Sequence, residues 1–101
     1  MKKRAKVWKE LVEFGIGKNR SKTFHVGDIY WDCSYHPVLC TQADYWDVEG
    51  ISLTDGTHPR CCSIRNCGLQ KINLKQALFI KSKWSELQKE TDRIMKKFRK
   101  G

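Results

Sequence analysis

Five cysteines and three histidines are the side chains whose types and spacing could do chemistry in this 101-residue chain. Most fall into two clusters, Cys33-x-x-His36-x-x-x-Cys40 and His58-x-x-Cys61-Cys62 followed by Cys67. Zinc takes four nitrogen or sulfur ligands in a tetrahedron, commonly delivered as pairs by two tight turns. Cys33, Cys40, Cys62 and Cys67, with His36 as a substitute, could supply such a set. Neither cluster contains the Cys-x-x-Cys knuckle usual in structural zinc sites, and cysteine is also a favoured small residue in strand cores. Buried free thiols are therefore the expectation, with no cofactor required. An odd cysteine count without an export signal favours reduced thiols over a disulfide framework. The same residues could form a cysteine–histidine nucleophile pair, but no oxyanion-hole motif or nucleophile-elbow turn accompanies them. The carboxylates fall in turn-like segments and read as solvated turn formers, so the expectation is a binding protein and not an enzyme.

A second set with chemical potential is aromatic: Tyr30, Trp31, Tyr35, Tyr45 and Trp46. Rings at strand ends and in loops can cage a cation or offer a stacking surface to an exposed base. Some of them must instead fill the core of so small a domain.

The third set is cationic. Residues 1–24 carry eight Lys or Arg against Glu10 and Glu13, a balance of +6, and residues 68–101 carry ten against three acids, a balance of +7. Residues 25–67 hold only Arg60 and Arg65 against Asp28, Asp32, Asp44, Asp47, Glu49 and Asp55, a balance of −4, within an overall +9. The positive field therefore sits on the ends of the chain. Lys3, Arg4, Lys6, Lys18, Arg20 and Lys22, with Lys96, Lys97, Arg99 and Lys100, are the candidates for contacting the phosphates of a nucleic acid or nucleoprotein complex. A merely solvated, lysine-rich surface is the bland alternative.

The elements that must position these groups are legible in outline. Residues 4–14 carry Val7, Trp8, Leu11 and Val12 at helical spacing, with an edge strand as the alternative, and Gly15 and Gly17 stop either one. Strand-like runs follow from Phe24 to about Cys33, from Val38 to Tyr45, over Ile51–Leu53, from Arg60 to Ile64, and over Leu69–Ile72. Turns are expected at His36-Pro37, at Asp47–Gly50, at Asp55-Gly56, and as a 3₁₀ turn over Arg65–Gly68.

Five short strands joined by tight turns, the first opening as Phe24-His25-Val26-Gly27-Asp28, resemble the SH3-like barrel superfamily that includes Tudor and KOW domains. The resemblance covers residues 24–72. It implies an α+β fold: a small five-stranded SH3-like antiparallel barrel with a short N-terminal helix and a long C-terminal amphipathic helix. One domain is expected, comprising a basic segment over 1–23, the barrel over 24–72 and the helix over 73–100. The string Gly50-Ile51-Ser52-Leu53-Thr54-Asp55-Gly56, with Pro59-Arg60, Cys62-Ser63 and Cys67-Gly68, also resembles small proteins encoded by phages and prophages, which implies a mobile-element origin.

Asn73 is a helix N-cap with Gln76 in capping-box position, and no breaker follows before Gly101. A helix over 74–99 would be about 39 Å long, against about 20 Å of barrel face, so its distal half must protrude, pack on the N-terminal helix or meet another chain. Its stripe Ile80, Trp84, Leu87, Ile94 and Phe98 is the candidate docking surface of a rival reading: a protein inhibitor or adaptor, such as a phage counter-defence protein, or a homodimer. No stretch approaches the roughly 20 apolar residues that span a bilayer, and Lys2, Lys3 and Arg4 precede no signal-like apolar run, so a cytoplasmic location without membrane contact is expected.

Overall fold

A computed structural model describes residues 6–100, without the side chains of residues 94, 95 and 97–100. Lys3 and Arg4, and the side chains of Ile94, Lys97, Phe98, Arg99 and Lys100, therefore lie outside the described residues. The chain runs α1 (Lys6–Glu13), β1 (Ile29–Trp31), β2 (Pro37–Ala43), β3 (Asp47–Ser52), β4 (Arg60–Ser63), β5 (Gln70–Ile72), α2 (Leu74–Ser82) and α3 (Trp84–Lys100). All strands are antiparallel in one sheet ordered β4-β3-β2-β1-β5. The last strand thus returns to pair with the first, Ile29 opposite Ile72 and Trp31 opposite Gln70. The fold is α+β, as expected.

Strand side chains alternate between faces, and here both faces are covered. Tyr30, Val38, Cys40, Val48 and Cys62 point to one side, where Phe24, Ile64 and Leu69 close a core. Ile29, Trp31 and Ile72 belong to a second core, built with Val7 and Leu11 of α1, Ile16, Ala77 and Ile80 of α2, and Leu87 of α3. Each fully buried large apolar side chain is worth about 1.5–3 kcal/mol relative to exposure, so the helices are integral to the domain.

Local chemistry explains α1. Val7 and Leu11 are buried four residues apart, which settles the helix against the edge strand. It stops where the Ile16 N–H donates to the Leu11 carbonyl (2.9 Å) and Gly15 takes φ +85°, a left-handed stop that favours glycine.

Four expectations need correction. The first strand begins at Ile29, because Gly27 (φ +97°) and the Asp28 carboxylate, accepting from the His25 N–H at 2.8 Å, close a turn ahead of it. The turn expected at 47–50 lies earlier: Asp44 Oδ1 accepts the N–H groups of Trp46 and Asp47, both at 2.8 Å, leaving residues 47–52 as β3. The turn after β4 closes by the Cys67 N–H donating to the Ser63 carbonyl at 2.9 Å, four residues back, and is not 3₁₀.

The fourth concerns the C-terminal helix, which is two helices. Asn73 and Gln76 form the expected capping box, but α2 ends at Lys83, whose backbone sits at φ −100°, ψ 7°. Its N–H is shared between the Phe79 and Ile80 carbonyls at 3.1 Å each, and its ammonium donates to Glu10 Oε2 of α1 at 2.8 Å. That contact holds the Glu10 carboxyl below its ordinary range. No glycine or proline marks the break; tertiary partners make it. The contacts with the N-terminal helix side are made at Lys83 and Leu87, ahead of the distal half from Lys89 to Lys100 for which protrusion, packing on that helix or contact with another chain were the expected outcomes.

Candidate nucleic-acid interface

Two turns meet at one place on the molecule. The β2–β3 turn (44–46) and the turn after β4 (64–67) are tied by the Ile64 N–H donating to the Trp46 carbonyl at 2.8 Å. The Arg65 guanidinium carbon then lies 4.2 Å from the Tyr45 ring centre and 4.7 Å from that of Trp46. The two rings are perpendicular neighbours, 4.7 Å apart and 89° inclined. Tyr45 and Trp46 are nonetheless 67% and 57% exposed, so ring surface not covered by Arg65 remains accessible to a ligand.

The basic linker after α1 completes the arrangement. Its Ser21 N–H donates to the Leu69 carbonyl (2.8 Å) and its Oγ accepts from the Lys71 N–H (2.9 Å), which lays the segment along the edge of β5. From there Arg20 Nη2 donates to the carbonyls of Ile64 (3.4 Å) and Arg65. An open groove of about 480 Å³ results, lined by Arg20, Lys22, Thr23, Tyr45, Ile64 and Arg65. Three cations beside two exposed rings can pair with phosphates and stack on bases. A second depression is lined by Asp44, Asp47 and Glu49, whose negative charge disfavours phosphate there.

The structure brings only part of the expected cationic set together. Arg20 and Lys22 line the groove, whereas Lys6, Lys18 and Lys96 are exposed but not among its lining residues. Arg65 was missed because it sits in the segment of net negative charge. The available signal was its position in a turn directly after a strand.

Of the five aromatics, three are used internally. Tyr30 is fully buried, its hydroxyl donating to the Arg60 carbonyl at 3.1 Å, and burial raises its pKa. Tyr35 packs between Trp8 (5.0 Å) and Trp31 (5.3 Å), and its carbonyl accepts the Trp31 indole N–H at 2.9 Å. Tyr45 and Trp46 are the exposed pair. In the proposed docking stripe, Ile80 and Leu87 are buried in the helix-side core, and Trp84 packs on the His36 ring at 4.5 Å. Ile80 and Leu87 therefore present no free face, while Trp84 is engaged within the chain and half-buried.

The sulfur and imidazole groups separate. Cys33, Cys62 and Cys67 converge, with all three sulfurs within 4.8 Å of one another. Cys40 stands apart in the core, its thiol donating to the Gln42 carbonyl at 3.4 Å. His36 is also elsewhere: its Nδ1 is 2.8 Å from Ser52 Oγ and 3.8 Å from Asp55 Oδ1. Histidine, serine and aspartate together suggest a hydrolytic triad, but a triad needs serine and carboxylate on opposite ring nitrogens. Here both approach the same nitrogen, and Ser52 Oγ also accepts the Thr54 N–H, so the group is a structural knot under the β3–β4 loop.

No protein-family model, curated protein or solved structure matches the chain. Among the described residues no helix is long and apolar enough to cross a membrane.

Proposed function

We propose that this protein is a non-enzymatic nucleic-acid-binding module that takes a single strand into the groove between Arg20, Lys22 and Arg65. The observation that carries this reading is the Arg65 guanidinium lying against two exposed rings, of which Tyr45 lines the groove and Trp46 stands beside it. Phosphates pair with the cations while a splayed base stacks on Tyr45 or Trp46, a mode that tolerates sequence because every base has a π face. Lys6, Lys18 and Lys96, with Lys3, Arg4, Lys97, Arg99 and Lys100, add the long-range attraction that speeds encounter.

The scaffold fits the SH3-like reading, since the β4-β3-β2-β1-β5 order gives a meander whose fifth strand returns to the first. A basic accessory protein of a phage or other mobile element is the setting this reading assigns it. The groove supports nucleic-acid contact better than the helix stripe supports protein docking, because Ile80 and Leu87 are already buried.

Titration of fluorescent single-stranded DNA and RNA at two salt concentrations, beside duplexes of the same sequence, tests the proposal. Affinity for single strands should fall as salt rises and should drop in Arg65→Ala. Affinity indifferent to salt, or unchanged in Arg65→Ala, would overturn it.

A further inference from the structure

The three converging sulfurs come from three separate segments. Cys33 lies in the turn between β1 and β2, Cys62 in β4, and Cys67 in the turn after β4. Sulfurs around a tetrahedral zinc at about 2.3 Å lie about 3.8 Å from each other. Cys33 Sγ and Cys62 Sγ are already 3.5 Å apart, and Cys67 Sγ falls within the 4.8 Å that contains all three. Closing on an ion therefore needs side-chain rotation and little more. Among the described residues no other group of three metal-binding donors gathers this closely.

The surroundings hold the ligands in place. The Cys33 turn is pinned by Asp32, whose Oδ1 accepts the Ser34 (3.0 Å) and His36 (2.9 Å) N–H groups while Oδ2 accepts from Arg60 Nε (2.8 Å). The Cys67 turn is pinned by its own N–H on the Ser63 carbonyl and by the Asn66 N–H on Ser63 Oγ (3.3 Å). Exposure is graded: Cys62 is buried, Cys67 half-buried and Cys33 exposed, so an ion can reach the sulfurs from the Cys33 side. Cys40 provides the contrast of a thiol used as core filling, bonded within its own strand.

We infer that Cys33, Cys62 and Cys67 form a binding site for a thiophilic cation of the zinc class, held by three thiolates with a fourth position open to water. Four protein ligands from Cys33, Cys40, Cys62 and Cys67 are not what the fold assembles, because Cys40 bonds elsewhere. Soft thiolate sets favour zinc and copper(I) over the hard cations magnesium and calcium. Cys67 shares the turn after β4 with Arg65 of the proposed groove, but the inference does not rest on that groove and its test uses no nucleic acid.

The reduced full-length chain is titrated with Zn²⁺ against a chromophoric chelator, and separately with Co²⁺, whose thiolate charge-transfer absorption reports sulfur ligation. One ion per chain is expected. Cys33→Ser and Cys67→Ser should each weaken Zn²⁺ binding at least about tenfold, the lower end of what losing even an outer-sphere partner costs. Both should also reduce the charge-transfer absorption, whereas Cys61→Ser should leave both readouts unchanged. Circular dichroism of each metal-free variant shows that it is folded, and the two serine variants avoid disturbing buried Cys62. The inference is overturned if the reduced wild type takes no Zn²⁺ from the chelator. Equal affinity in wild type and both ligand variants, or an equal loss in Cys61→Ser, overturns it too.

Discussion

The guanidinium of Arg65 lies 4.2 Å from the centre of the Tyr45 ring. These residues are twenty positions apart in sequence and come from different hairpin ends, joined by the Ile64–Trp46 backbone hydrogen bond. The contact holds a planar cation against exposed π surface at the mouth of the groove, so positive charge and stacking surface are presented as one unit.

Removing a ring from that unit should be read directly in single-strand affinity. Trp46→Ala is expected to weaken binding of a short single strand by about 1–3 kcal/mol, the worth of one stacked base. Duplex binding, which exposes no base face, should change less. Fluorescence anisotropy with matched single- and double-stranded oligonucleotides measures both.

Lys22 lines the groove and is exposed, so its truncation should act through charge alone. Lys22→Ala should lower the slope of log affinity against log salt by about 0.7, the value of one phosphate contact on a single strand. A titration series across salt concentrations gives the slope.

Asp32 is 4% exposed and its carboxylate meets Arg60 Nε at 2.8 Å. Asp32→Ala leaves the guanidinium without its partner and two backbone N–H groups without an acceptor, and should cost about 3–5 kcal/mol in urea unfolding. The exposed Arg93–Glu90 pair offers the comparison, since Arg93→Ala should cost under about 1 kcal/mol.

His36 makes stability depend on pH. Burial, and then the nearby Arg60 guanidinium, lower its pKa against the opposing pull of Asp32 and Asp55. The unfolded chain therefore takes up this proton first as pH falls. Stability linked to His36 is complete above about pH 6.5 and is lost progressively below it. Thermal melts between neutral and mildly acidic pH should show this decline, and His36→Gln should flatten it.

Gly50 pairs with Cys40 on one side and Arg60 on the other, and a Cβ there would overlap the Leu39 carbonyl and the Val38 side chain. Gly50→Ala should destabilise the sheet by about 1–3 kcal/mol through overpacking. Urea denaturation of the variant measures it.

What the sequence by itself determined about this protein is what neighbouring residues settle among themselves. The Asn73–Gln76 capping box, the α1 stripe of Val7 and Leu11, the stop at Gly15 and the existence of five short strands all depend on groups within a few positions of one another. Turn placement was only partly legible, since Asp44 outcompeted the Asp47–Gly50 segment for the β2–β3 hairpin through two local hydrogen bonds.

Only the tertiary structure decided the rest. The break at Lys83 answers to Glu10 on another helix, Arg65 finds its rings across a hairpin, and Cys33 meets Cys62 rather than Cys40. For Arg65 and Cys33 the partner is chosen by strand pairing, which decides which turns and strands meet, and for Lys83 by how α2 and α1 pack together on the sheet.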